Sequence, residues 1–306
     1  MLKQRMIVKW LICISLAWFY FTPVHAKPSE KTIEQEYPGL TSNILKDAKM
    51  VALKKGTLLI ADGFEIRESQ IKEIVEKADP NIREELRKNL FLILEQETIN
   101  AVLTKEARSS GTNTKGLSDM DAIQAYLNQK FSHVQVSENE AKLFYEANKD
   151  MVGGQPFELV KEAIQQFLVQ QKRQDAFNSY IRGLGDNTDI QVNREWVKAQ
   201  YDLAGDNPVD KARTSGKPTM IEFGATGCVP CDMMQPILDN LRKKFSHKLN
   251  VVFIHVGENR ILGSRFGIQS IPVQVFYDKN GQEVFRHVGF YAEEEVLKQL
   301  AKMGAI

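Results

Sequence analysis

Phe223-Gly224-Ala225-Thr226-Gly227-Cys228-Val229-Pro230-Cys231 is the stretch that decides how this chain is read. It places two cysteines two residues apart, where a strand-like apolar run (Thr219 to Phe223) gives way to a helical pattern (Cys231 to Phe245). The third of the 3 cysteines, Cys13, lies in an apolar N-terminal segment. A lone pair of this kind can cycle between dithiol and disulfide, or supply half of a metal site. Structural zinc wants four Cys or His ligands. Beyond the N-terminal segment only His133, His247, His255 and His287 remain, none at ligand spacing, so no metal is expected. His255 falls in a strand and reads as satisfied structure rather than as a ligand. An inert structural disulfide is disfavoured too, because so short a loop removes little unfolded-state entropy.

Outward from that run, a second strand (Val251 to Val256) and a further helical stretch follow. Val273 to Tyr277 and Glu283 to Val288 flank Asp278-Lys279-Asn280-Gly281, an Asn-Gly turn signal, before a last helix from about Ala292 to Met303. Strand, helix, strand, helix, hairpin and helix describe an α/β sandwich of about 95 residues. A cysteine at a helix N-terminus faces unpaired backbone N–H groups and the positive end of the helix dipole, both of which favour thiolate. In such motifs the thiol pKa falls from about 8.5 to between about 3.5 and 7.5. Cys228 is therefore the expected nucleophile, and Cys231, one turn along, the thiol that resolves a mixed disulfide. Pro230 has its φ set for the first helical turn and lacks an N–H that would go unused there. Glu222 interrupts an apolar strand. It is either a buried acid with a raised pKa or a residue that points to solvent.

This order resembles thioredoxin from about Val209 to Met303. The Cys-Val-Pro-Cys run stands where that family has its active site, and Phe266-Gly267-Ile268-Gln269-Ser270-Ile271-Pro272 resembles the stretch ending in its cis-proline. Val288-Gly289 matches the third piece of the substrate groove. The resemblance implies a redox-active Cys228–Cys231 disulfide without other cofactor, and Glu222 as the acid beneath it, where aspartate is more usual. It further implies a cis Ile271-Pro272 bond and a substrate groove formed by Ile271, Pro272, Gly289 and Gly227. A kink at Pro236 inside the active-site helix is also expected. Gly227 departs from the family's usual tryptophan, and Gly224 from another common aromatic, so a more open and flexible rim is expected.

The other half has a different grammar. From Ser69 to about Leu184 it reads as helix after helix. Asp79-Pro80 opens a long one carrying Ile82, Leu86, Leu90, Ile93, Leu94 and Val102, with Gly111 past its end. Ser118 with Asp121, and Ser137 with Glu140, suggest capping boxes. A last helix presents Val160, Ile164, Phe167, Leu168, Phe177 and Ile181 as a core stripe. Met50 to Arg67 alternates around Asp62-Gly63 as a short hairpin. Leu58 to Ile66, Asp79-Pro80, Val136-Ser137-Glu138-Asn139-Glu140 and Gln155 to Val160 resemble exported SurA-type chaperones and related parvulin-like foldases over roughly residues 45–193. The gap from Gly111 to Val136 is too short for that family's isomerase domain, so isomerase activity is not implied. Binding of non-native polypeptide is; the other role expected of this half is pairing of two copies as a homodimer.

Residues 1–26 fit a secretory signal: Lys3, Arg5 and Lys9, an apolar core from Trp10 to Phe21, then Val24-His25-Ala26 as cleavage site. A membrane anchor would need about 20 apolar residues, and Thr22-Pro23 interrupts the run first. Cleavage removes three of the 40 basic residues and none of the 39 acidic ones. The rest is nearly neutral and offers no basic face for nucleic acid. The expected division is a signal at 1–26, a helical domain at 27–198, a linker at 199–212 and the thioredoxin-like domain at 213–306. The fold class is α+β and multidomain: a mostly α-helical N-terminal domain followed by an α/β sandwich. The expected function is a periplasmic or otherwise exported thiol–disulfide oxidoreductase that meets the membrane only during export. Its partners are protein or peptide disulfides and a separate thiol electron donor or acceptor. The resemblance to thioredoxin implies reduction or isomerisation over oxidation, because Val229-Pro230 keeps the proline found before the second cysteine in reducing thioredoxins and lacks the histidine common in oxidising relatives. A chaperone or adaptor with a subordinate redox domain is the alternative.

Overall fold

The computed structural model describes residues 30–41 and 43–306, so the secretory-signal segment and Cys13 lie outside the described residues. In chain order the elements are α1 (Ile33–Glu36), β1 (Lys49–Val51), β2 (Thr57–Ala61), β3 (Phe64–Arg67), α2 (Glu68–Lys77), α3 (Arg83–Lys88), α4 (Leu90–Ser109), α5 (Asp119–Lys130), α6 (Glu138–Ala147), α7 (Phe157–Asn187), β4 (Gln191–Asn193) and α8 (Arg194–Ala204). The second half continues with α9 (Pro208–Arg213), β5 (Thr219–Gly224), α10 (Val229–Phe245), β6 (Asn250–His255), α11 (Arg260–Arg265), β7 (Val273–Tyr277), β8 (Glu283–Val288) and α12 (Glu293–Lys302). A helical N-terminal region followed by an α/β domain is the expected fold class. No helix among the described residues is long and apolar enough to cross a membrane.

In the N-terminal half the expected hairpin is β2–β3, with Ala61 opposite Phe64. It belongs to a four-stranded sheet, ordered β1-β4-β2-β3. β1 and β4 pair in parallel, Lys49 beside Gln191, and so join the two ends of the helical region. The helix expected to open at Asp79-Pro80 is broken at Asn89 into α3 and α4. Ser118 and Ser137 both cap helices as expected, but the reciprocal box forms only at Ser137 and Glu140. Helix α7 departs most from expectation. Of its apolar stripe only Ile164 and Ile181 are buried, and Phe167 is 41 % exposed. The N-terminal half of α7 packs on α6 in a small cluster of its own around Ala141, Tyr145 and Ile164.

Residues 199–212, read as a linker, carry the end of α8 and most of α9. Val209 is fully buried against Ile221, Phe223 and Phe266, so α9 packs into the C-terminal core. Asp210, at 4 % exposure, accepts from Arg213 Nε at 2.6 Å and from Arg265 Nη1 at 2.6 Å. The same guanidiniums reach into the N-terminal half: Arg213 Nη1 donates to the Pro38 carbonyl (2.7 Å) and Arg265 Nη1 to that of Ala204 (2.9 Å). One buried carboxylate is thus the shared counter-charge of the two guanidiniums that tie the halves together. Asp210→Asn leaves two buried cations without a counter-charge and is expected to cost about 3 kcal/mol or more. A urea unfolding midpoint unchanged from wild type would contradict this.

The C-terminal sheet has the order β6-β5-β7-β8, with β5 parallel to β6 and antiparallel to β7. Side chains alternate along β5. Ile221 and Phe223 face the α9 and α11 side, while Met220 packs with Met234, Leu238 and Leu241 of α10. Glu222 and Gly224 therefore share the α10 side with Met220.

Candidate active site

β5 ends at Gly224, and residues 225–227 lead into Cys228, the N-cap of α10. Val229 and Pro230 form the first turn, so neither an amide nor a strained φ is lost to the proline. Cys228 and Cys231 are joined by a disulfide, with Cα atoms 5.2 Å apart. Cys228 is half-buried beside the 64 % exposed Val229, whereas Cys231 is 1 % exposed. The sulfur that an incoming thiolate or disulfide can reach is that of Cys228. Pro236 lies inside α10 as expected. No group of three or more His, Cys, Asp and Glu able to hold a metal ion occurs among the described residues.

Glu222 is fully buried, and neither carboxylate oxygen has a hydrogen-bond partner among the described residues. Of the two readings left open by the sequence, the structure selects the buried acid. A Cβ on Gly224 would lie 3.4 Å from Cys231 Cβ, so the face shared by Glu222 and Gly224 is the one that carries the buried cysteine. Glu222 stands two residues earlier on that face, roughly 6.7 Å along the strand. Its neighbours across the sheet are Phe253 and Gln274, and Gln274 is itself fully buried. Burial pushes the Glu222 carboxyl up to about 8, against the opposing effect of the Gln274 amide.

The register Phe223 opposite Val273 carries Ile271-Pro272 to the same end of the sheet as Gly224. The Ile271-Pro272 bond is cis, as expected. Gly289 follows β8 and donates its N–H to the Pro272 carbonyl at 2.8 Å. Pro272 and Gly289 are thus brought together, with the half-buried Ile271 adjoining them.

The rim is open on one side only. Gly227 has φ +79°, and a Cβ there would meet nothing within 4 Å. A bulky L-residue would have room at this position but would be strained, which gives the missing aromatic a backbone reason. At Gly224 the expected openness is absent: a Cβ would lie 2.8 Å from the Phe253 ring. The aromatic there is supplied by β6 instead of β5. Sequence reasoning also passed over His255, whose Nε2 accepts a hydrogen bond from the Thr226 N–H at 3.1 Å.

This half of the chain is similar to known proteins. The family described as Thioredoxin-like domain matches residues 206–304. A thioredoxin from Alicyclobacillus acidocaldarius is 36% identical over 85 residues, 28% of this chain and 80% of that protein. One from Rickettsia felis is 32% identical over 88 residues, 29% of this chain and 83% of that protein. A mutant thioredoxin from Halobacterium salinarum, a solved structure, matches at 25% identity and a TM-score of 0.29, covering 31% of this chain and 81% of its own. Through the domain that carries the Cys228–Cys231 pair, the chain belongs to the thioredoxin family.

Proposed function

We propose that the protein is an exported thiol–disulfide oxidoreductase acting on protein disulfides. The observation that carries the reading is the pairing of a reachable Cys228, at a helix N-terminus, with a buried Cys231 on the Glu222 side of the sheet. In the reduced protein the Cys228 thiolate attacks one sulfur of a substrate disulfide. A mixed disulfide forms and one substrate thiolate leaves. Cys231 then gives its proton to the Glu222 carboxylate and attacks Cys228 Sγ, which restores the Cys228–Cys231 bond and expels the second substrate thiolate. Two electrons pass to the substrate, and a separate dithiol donor must return them. Ile271, Pro272 and Gly289, with the open approach at Gly227, form the groove for an extended substrate segment. Export is supported by the N-terminal basic and apolar run, and reduction over oxidation by Val229-Pro230. Equilibration with a thiol buffer of known potential tests the direction. A potential near the roughly −270 mV of thioredoxin agrees with a reductase, and one near −120 mV overturns it.

A second role, polypeptide binding by the N-terminal half, is supported by its resemblance to SurA-type chaperones. It is also supported by apolar side chains left exposed on α6 and α7, Leu143 at 63 % and Leu159 at 74 %. The doubly substituted Cys228→Ser/Cys231→Ser protein is then expected still to suppress aggregation of a reduced, unfolded client. Aggregation at the rate of the protein-free control removes this role.

A further inference from the structure

The loop that delivers Cys228 to its helix takes little support from side-chain hydrogen bonds. Among the described residues, no side chain other than His255 hydrogen-bonds the backbone of residues 225–227. Gly227 stands in open space at positive φ, and Thr226 is exposed, so neither packs the loop in place. His255 ends β6 and lies in register with Gly224, the last residue of β5, directly beside the exit of the loop. Its Nε2 takes the Thr226 N–H at 3.1 Å.

A backbone amide can only donate, so Nε2 must be bare and the ring proton must reside on Nδ1. Yet Nδ1 is buried and has no partner among the described residues. Leaving a buried N–H unsatisfied is a cost that folded proteins usually avoid. The surroundings are fitted to this unfavourable orientation. A Cβ on Gly257 would lie 3.1 Å from Cε1 and 3.3 Å from Nδ1 of the ring, so glycine there leaves the imidazole its space.

We propose that His255 is a positioning residue for the dithiol: it holds the Thr226 amide through a bare Nε2 and thereby sets where Cys228 meets a substrate disulfide. The proposal rests on the dithiol reading above. It assigns His255 no contact with substrate and no proton transfer. What it supplies is order in a three-residue approach where only Ala225 is even half-buried. A reacting sulfur held in one place attacks faster than one that must be found among several loop conformations.

Reduced protein carrying Cys13→Ser, which leaves Cys228 and Cys231 as its only thiols, mixed with 5,5′-dithiobis(2-nitrobenzoate) in stopped flow separates the possibilities. Cys228 attack releases one nitrothiobenzoate, and resolution by Cys231 releases the second. His255→Leu is expected to slow the first release about fivefold, the worth of one hydrogen bond. His255→Gln, whose amide oxygen can take the place of Nε2, should stay within about twofold of wild type. An undiminished His255→Leu rate overturns the proposal, as does a His255→Gln rate that falls as far as that of His255→Leu. Imidazole nitrogen spectra of the wild type give a reading that needs no variant: Nδ1–H with bare Nε2 is expected, and the opposite tautomer overturns the proposal. A wild type that releases no nitrothiobenzoate overturns the dithiol reading and this inference with it; a reactive wild type beside an unaffected His255→Leu overturns this inference alone.

Discussion

Cys228→Ser is expected to abolish disulfide reduction, by on the order of a thousandfold or more, while Cys231→Ser retains the first chemical step and stalls after it. The asymmetry follows from exposure. Cys228 is half-buried at the mouth of α10, and Cys231 is 1 % exposed behind it. A serine hydroxyl at 228 cannot form the thiolate that the helix N-terminus favours, and Cys231 cannot reach a protein substrate in its stead. A serine at 231 leaves that thiolate intact but removes the group that cleaves the mixed disulfide. Reduced Cys231→Ser protein should therefore accumulate as a covalent adduct with a disulfide client, visible on a non-reducing gel and dispersed by excess dithiol. Adducts on Cys228→Ser protein instead would reverse the assignment of the two sulfurs.

Features written in adjacent residues were legible beforehand. Cys228, Pro230 and Cys231 belong to one run, and the cis bond at Ile271-Pro272 was carried by the stretch before it. Glu222 could be found because a carboxylate in an apolar strand breaks its alternation, although only the register with Phe253 and Gln274 decides that it faces inward. What escaped depends on residues far apart in sequence. Phe253 fills the space at Gly224 from a neighbouring strand, so the rim looked open on both sides when it is open on one. Asp210 lies in the stretch read as a linker, and it is buried only as the shared partner of Arg213 and Arg265, the latter some 55 residues further on. β4 is three residues long and pairs with a strand some 140 positions earlier through backbone groups, which carry no sequence signal. His255 was legible as a strand residue but not as the holder of a loop, because the partner atom is an amide.

Glu222→Gln should produce two effects of opposite sign, and together they distinguish a proton acceptor from a passive buried acid. The carboxyl is pushed up to about 8 by burial, from an ordinary value near 4.5. Between those values the folded state holds a proton that the unfolded chain has lost, so stability falls as pH rises through this window and is fully present only below it. Glutamine has nearly the same shape and never ionises. At pH 5 the variant should match wild type, whereas at pH 9 it should be more stable by on the order of several kcal/mol, raising the Tm of this domain by about 20 °C. Resolution of the mixed disulfide should move the other way. With no carboxylate to accept the Cys231 proton, release of the second thiol should slow by about 10²-fold, the usual worth of a positioned general base. In wild type that step should accelerate with pH up to about 8 and then level, and in the variant the inflection should vanish. The first release, made by Cys228, should be unchanged. Added stability at pH 9 with an unaltered second release would leave Glu222 as a buried acid without a part in the exchange; loss of both releases together would place its effect on Cys228 instead.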